Sequence, residues 1–298
     1  MRVIVTGATS FIGAAAVRRL LLNGDSVLSA VRPRSENMGR LRALTEGLPG
    51  HEIIEIDLKD IESLDASCDV FIHTAWDGAG SLKRQDREIQ MKNAELSEGA
   101  LRAAKKAGAR RFIFTGSQAE YGIKHELIKE DAELSPVSEY GKAKALFGEK
   151  AAQYCAQNGI DYIHLRIFSV YGPGDHEGSL VKSCIKGTVR EFSDCTQDWN
   201  YLYIDDAADA IAHLTREGNA GIYNLAGSET RKLKDFVAQL MEGKGEYSFG
   251  KRQQNAEGAA DLNPSIEKIL KETTWKPETP FCEGIKKLCL SAYPVEKN

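Results

Sequence analysis

The segment Gly7-Ala8-Thr9-Ser10-Phe11-Ile12-Gly13 constrains this chain more than any other. It stands between Val3–Thr6, which reads as a buried strand, and Phe11–Asn23, where Ala16, Val17, Leu20 and Leu21 recur at helical spacing. Asn23-Gly24 closes that helix as a C-terminal cap. A glycine at the strand end permits the tight turn, and Gly13 lets the helix pack close to the strand. The helix N-terminus then offers free N–H groups and a partial positive charge to a pyrophosphate. Ser10 takes the middle place, and its small hydroxyl could itself bond a phosphate. An ordinary glycine-punctuated turn is the plain alternative, so the reading depends on the rest of the chain.

Downstream of the loop runs a series of βαβ units. Val27–Val31, Ile53–Ile56, Val70–His73, Phe112–Thr115 and Tyr162–Arg166 read as buried strands with helices between them, two of which stop at Gly108 and at Asn158-Gly159. The pattern predicts an α/β fold: a doubly wound parallel sheet of the Rossmann type with a smaller C-terminal substrate-binding lobe. After about residue 168 the rhythm changes to a turn cluster, Tyr171-Gly172-Pro173-Gly174, then short helical pieces and a lone strand at Ile222–Leu225. The dinucleotide domain is expected over 1–168 plus about 201–228, and the second lobe over about 169–200 plus 229–298. Only the last four or so residues look dispensable.

The second strand ends in Val31 where a chain that selects NAD usually places an acid for the ribose 2′-hydroxyl. Arg32, Arg34 and Ser35 come next. Guanidinium groups suit a 2′-phosphate through paired, charge-assisted hydrogen bonds, which favours NADP(H) and leaves NAD(H) open. A solvated basic loop is the plain alternative.

Further along the chain come Asp57-Leu58, His73-Thr74-Ala75, Ser117 and Tyr140-x-x-x-Lys144, then Arg166–Pro173 and Tyr203-Ile204-Asp205-Asp206. In this order, and with the glycine loop, they resemble the extended short-chain dehydrogenase/reductase family, the branch of NAD-dependent nucleotide-sugar epimerases, dehydratases and reductases. The resemblance covers nearly the whole chain. Helical i, i+4 spacing puts Tyr140 and Lys144 on one face, where an ammonium can stabilise a phenolate whose free pKa is about 10. The resemblance implies that Tyr140 is the acid/base, that Lys144 also holds the nicotinamide ribose, and that Ser117 hydrogen-bonds the substrate oxygen. It further implies cofactor contacts from Gly7, Ser10, Phe11, Ile12, Gly13, Asp57, Leu58, Ala75, Asn93, Phe168 and Val170. Asn93 has the alternative of bonding a neighbouring backbone. His73 lacks a second ligand nearby and reads as structural, so no metal is expected.

Relatives that dehydrate sugars carry an acidic acid/base pair after the serine or threonine; here Gln118 and Ala119 stand there, and Glu120 is one step off register. No dehydratase activity is expected. Ser169 replaces a usual asparagine, and Asp198-Trp199-Asn200 stands where an Arg-Asp pair is common. Arg252 is a candidate replacement for that arginine, and Trp76, Gln118, Ser169 and Trp199 are candidates for the substrate pocket. The leading expectation is reduction of a keto group, at C4, on a nucleotide-linked sugar. A nucleotide-sugar 4-epimerase is the runner-up, followed by a small carbonyl reductase and a non-catalytic NADPH-sensing regulator.

The formal charge of −4 is spread over interleaved acids and bases, which points away from nucleic acid and anionic membranes. There is no apolar run long enough to span a bilayer. The six cysteines form no C-x-x-C pair and read as reduced thiols in a cytoplasm. The resemblance also implies a possible homodimer.

Overall fold

The computed structural model describes residues 1–80, 83–253 and 260–290. The β-branched runs form β1 (Arg2–Thr6), β2 (Ser26–Val31), β3 (His51–Glu55), β4 (Val70–His73), β5 (Arg111–Ser117) and β6 (Asp161–Ile167). Between and after them lie α1 (Phe11–Leu22), α2 (Met38–Thr45), α3 (Arg87–Lys106) and α4 (Glu139–Asn158). The second half adds β7 (Ser169–Tyr171), α5 (Leu180–Lys186), β8 (Asp198–Tyr203), α6 (Ile204–Leu214), β9 (Gly221–Leu225), β10 (Thr230–Lys232), α7 (Leu233–Met241), α8 (Glu267–Glu272) and α9 (Phe281–Leu290).

Seven strands form one parallel sheet in the order β3-β2-β1-β4-β5-β6-β9. The chain runs outward from β1 to β3, then crosses back to β4. The switch point therefore lies between β1 and β4, and crevices at the carboxyl ends of such strands are where ligands bind in doubly wound folds. Period-two alternation sorts the strand side chains into two cores. Val3, Val5, Val27 and Ile72 pack with α1, α2 and α6, while Ile4, Phe71, Phe112 and Phe114 pack with α3 and α4. The strand that stands alone in the sequence, β9, is the seventh of the sheet, parallel to β6.

β3 corrects the expectation of a buried strand at Ile53–Ile56. It begins at His51 and forms the sheet edge, with Glu52, Ile53 and Glu55 exposed. An outermost strand has a partner on one side only, and here the cover over its faces is incomplete. Beyond the main sheet, β10-β8-β7 form a three-stranded sheet over a separate aromatic core of Tyr171, Phe192, Tyr203, Phe236 and Phe281. The junction expected near residue 201 falls inside β8 of that sheet. The terminal residues expected to be dispensable lie outside the described residues. No helix among the described residues is long and apolar enough to cross a membrane.

Candidate active site at the carboxyl ends of the strands

The glycine loop is built for close approach. A Cβ on Gly13 would lie 2.3 Å from the Gly7 carbonyl oxygen and 2.6 Å from Thr74 Oγ1, and Gly7 itself adopts φ 71°. Thr74 stitches the loop to β4 by donating to the carbonyls of Thr6 (2.8 Å) and Gly7 (3.1 Å). Ser10 Oγ accepts the Gly13 N–H at 3.0 Å as the N-cap of α1, a role the sequence reading did not assign to it. The first-turn N–H groups of Phe11 and Ile12 have no partner inside a helix, by helix geometry, and are left for an anion. Both side chains are half-buried and turn toward the cores.

After β2, Arg32 and Arg34 are exposed, and Arg34 takes φ 57°. Ser35 Oγ meets Thr9 Oγ1 at 2.9 Å, which ties this basic loop to the glycine loop. Asp57 and Leu58 open a 3₁₀ turn after β3; the Asp57 carboxylate caps Lys59 N–H at 3.1 Å, and Leu58 leans on the α3 side core. Ala75 lies beside the glycine loop, its backbone against Gly7.

The expected catalytic residues converge at the junction of β5 and α4. Ser117 ends β5 and caps the 3₁₀ turn Gln118–Glu120, its Oγ accepting the Ala119 N–H at 3.2 Å. α4 seats its first turn against that turn: a Cβ on Gly141 would be 2.3 Å from the Ala119 carbonyl. Tyr140 is buried, and Lys144 is 2% exposed with Nζ donating to the Thr115 carbonyl at 2.6 Å. The Lys144 ammonium lies 5.7 Å from the Tyr140 ring centroid and 4.0 Å from that of Trp76. Burial pushes the Lys144 amine down to about 7; nearby Glu120 opposes the shift and Arg84 adds to it.

The loop after β4 supplies residues the sequence does not single out. Arg84 stacks over the Tyr140 ring at 4.2 Å, and its carbonyl accepts the Tyr140 N–H at 2.9 Å. Gln90, fully buried on α3, accepts Trp76 Nε1–H at 2.8 Å and donates to the carbonyls of Gly78 and Lys83. Asn93 bonds neighbouring backbone, the alternative that the sequence leaves open beside a cofactor contact. Its Oδ1 accepts the Asp77 N–H and its Nδ2 donates to the Asp77 and Ile89 carbonyls, so the amide secures the loop. A polar residue on the buried face of a helix was the available signal for both amides; their loop partners were not readable. Trp76, half-buried, faces Tyr140 edge-on with centroids 6.2 Å apart.

His73 is fully buried with Nδ1 at 2.7 Å from Thr6 Oγ1 and Nε2 at 2.8 Å from Ser97 Oγ. Burial, with Lys144 adding, pushes its pKa down to about 3, so it stays neutral. Glu120 turns inward, fully buried, to His164 and Arg166. Gln118 is half-buried beside it.

The remaining candidates lie beyond β6. Phe168 is buried against Tyr121, and Ser169 and Val170 start β7 half-buried. Trp199 lies on β8, and its register partner across the antiparallel ladder is Arg231 of β10. The Arg231 guanidinium stacks on Phe236 at 4.0 Å. Arg252 is exposed, bonded through its backbone N–H to the Phe192 carbonyl. Arg231 is thus the guanidinium that the fold brings opposite Trp199, a juxtaposition set by strand register and not by spacing.

A family model described as the NAD dependent epimerase/dehydratase family matches residues 3–226. The UDP-glucose 4-epimerase of Azospirillum brasilense is 26% identical, over 97% of this chain and 91% of that protein. The dTDP-glucose 4,6-dehydratase of Streptomyces griseus is also 26% identical, over 95% and 91%. Among solved structures, DesIV, a dTDP-glucose 4,6-dehydratase of Streptomyces venezuelae with NAD bound, superposes with a TM-score of 0.87 at 22% identity, covering 97% of this chain and 95% of that one. The UDP-glucose 4-epimerase of Thermotoga maritima with UDP-glucose gives 0.83 at 22% identity over 97% of both chains.

Proposed function

Since this chain belongs to the NAD dependent epimerase/dehydratase family, we propose that it reduces a keto group, at C4, of a nucleotide-linked sugar, and that it prefers NADP(H). The carrying observation is the convergence of Ser117, Tyr140 and Lys144 on the carboxyl end of β5. NADPH, when bound, supplies the hydride.

The rest of the chemistry belongs to the chain. Tyr140 donates the proton that the reduced oxygen needs, with the Lys144 ammonium stabilising the phenolate that results. The Ser117 oxygen already accepts the Ala119 N–H, so its own proton is available to donate to the substrate oxygen. Phe11 and Ile12 offer backbone N–H groups to a pyrophosphate, and Arg32, Arg34 and Ser35 offer donors to a 2′-phosphate. The second lobe, residues about 169–200 plus 229–298, shapes the sugar-nucleotide end.

Likeness to UDP-glucose 4-epimerases supports a second reading, epimerisation. Stoichiometry separates the two. Incubation with a 4-keto-6-deoxyhexose nucleotide should consume one NADPH per product; conversion between epimers with no net consumption would overturn the reductase reading. The family includes dehydratases as well. Against water elimination stand Gln118 and Ala119, which carry no exchangeable acid, and Glu120, whose carboxylate is already paired. Release of water from a nucleotide hexose by the purified protein would refute that exclusion. Stabilisation by bare nucleoside diphosphates in a thermal-shift screen is expected for a sugar-nucleotide enzyme and not for a small carbonyl reductase.

A further inference from the structure

Glu120 lies outside the catalytic set, yet its carboxylate is fully buried and fully used. Oε1 accepts the backbone N–H of Ser117 at 2.8 Å and faces His164 Nε2 at 3.0 Å, and Oε2 accepts Arg166 Nε–H at 3.1 Å. His164 and Arg166, two residues apart on β6, share a face of the sheet, and both are buried. Missing side chains make the room. A Cβ on Gly116 would lie 2.2 Å from His164 Nε2 and 2.5 Å from Glu120 Oε1, and one on Gly148 would lie 2.4 Å from His164 Cε1. Arg166 is anchored in turn, donating to the Glu130 carbonyl at 3.0 Å and stacking 4.6 Å over Tyr121.

Burial alone would raise the Glu120 carboxyl, but His164, Arg166 and the Ser117 N–H outweigh it and hold it below its ordinary value. The carboxylate is therefore an anion in the protein interior, tied directly to the backbone of Ser117. Lys144 flanks the same strand end, with Nζ on the carbonyl of Thr115 two residues before Ser117. Around that ammonium are the rings of Trp76, Phe114 and Tyr140, the guanidinium of Arg84 from the β4 loop, and neutral His73 from β4. A buried cation in such a setting needs an anion nearby, and Glu120 is the neighbour that favours its charged form.

We propose that Glu120 is a positioning residue that works through two others: it fixes Ser117 through the backbone N–H, and its negative charge at the same strand end favours the protonated form of the buried Lys144 amine. The inference rests on the reading that Ser117, Tyr140 and Lys144 carry the chemistry. Replacement by glutamine keeps the shape and an acceptor for Ser117 but removes the charge; replacement by aspartate keeps the charge but withdraws it from Ser117.

The test is a lysine 13Cε NMR titration of the intact chain, with Lys144→Arg identifying the resonance, alongside NADPH binding and turnover. In Glu120→Gln the Lys144 midpoint should fall by about one pH unit, NADPH affinity should hold, and turnover should drop more at pH 8 than at pH 6. In Glu120→Asp the midpoint should stay near that of the native chain while turnover falls about tenfold or more. If Glu120→Gln does not fold, the aspartate variant still decides: full turnover in it would remove the positioning role, and a shifted midpoint would remove the charge role. An unchanged Lys144 midpoint in a folded Glu120→Gln overturns the proposal. The titration requires no substrate, so a failed search for a sugar substrate would count against the function and not against this inference.

Discussion

The junction of β5 with α4 and the loop after β2 are both made of residues with strong chemistry, and the fold treats them in opposite ways. At the junction, Tyr140 and Lys144 are buried, Lys144 donates to the Thr115 carbonyl of β5, and the fully buried Glu120 carboxylate has partners on both β5 and β6. After β2, Arg32 and Arg34 are exposed, and the loop is tied down through the hydrogen bond between Ser35 and Thr9. A buried polar group left unpaired is costly, so the first region is interlocked. Exposed guanidinium groups act through screened charge, so the second is adjustable.

The largest expected effect sharpens this contrast. Tyr140→Phe should lower turnover by about 10²–10⁴-fold with NADPH binding retained, as read by steady-state rates and cofactor fluorescence. Unchanged turnover would move the chemistry away from Tyr140. Next, Gly116→Ala forces a methyl group against His164 and Glu120 and should destabilise the chain by about 1–3 kcal/mol in denaturant melts. Melts equal to those of the native chain would mean that the junction is not tightly packed.

A third prediction concerns pH. The Lys144 amine is depressed from its ordinary value to about 7 by burial, so between about 7 and 10.5 the unfolded chain binds more protons than the folded one. This group's contribution to stability therefore rises with pH across that window, and below it the cost of burying the charge is fully present. The Tm of Lys144→Met relative to the native chain should be highest near pH 6 and decline toward pH 10. A difference that does not vary with pH would show that the ammonium is solvated. Smaller still, Arg32→Ala with Arg34→Ala should cut the preference for NADPH over NADH by about tenfold, with salt eroding the native preference. Equal preference before and after would leave the loop as solvated surface. Smallest is Arg252→Ala, expected to change stability by less than about 0.5 kcal/mol, as surface substitutions usually do.

The glycine loop could be read directly, because it sits at a strand end marked by short-range pattern, while the roles of Ser117, Tyr140 and Lys144 came from the resemblance to a known family. Gly7, Gly13, Ser117, Tyr140 and Lys144 fall where the alternation of β and α elements stops or starts. Asn93 and Ser10 were harder. Each has a side chain able to bond either a ligand or nearby backbone, and only the positions of Asp77 and Gly13 reveal the backbone bonds that each makes. β3 read as buried because Ile53, Ile54 and Ile56 are apolar, yet an edge position overrode composition.

By itself the sequence determined the doubly wound order, the glycine turn and the Tyr140–Lys144 face, since each comes from periodicity or from local backbone sterics. Tertiary structure alone decided which polar groups are bound to one another, Glu120 with Ser117, His164 and Arg166 and Gln90 with Trp76, and which residues face each other in strand register, as Arg231 does Trp199. These pairs join residues of different elements, most of them far apart along the chain, and strand register and the close approach of helices to strands bring them together. The chemistry of the junction depends on that burial, because a carboxylate and an ammonium act on each other far more strongly in a low-dielectric interior than in water.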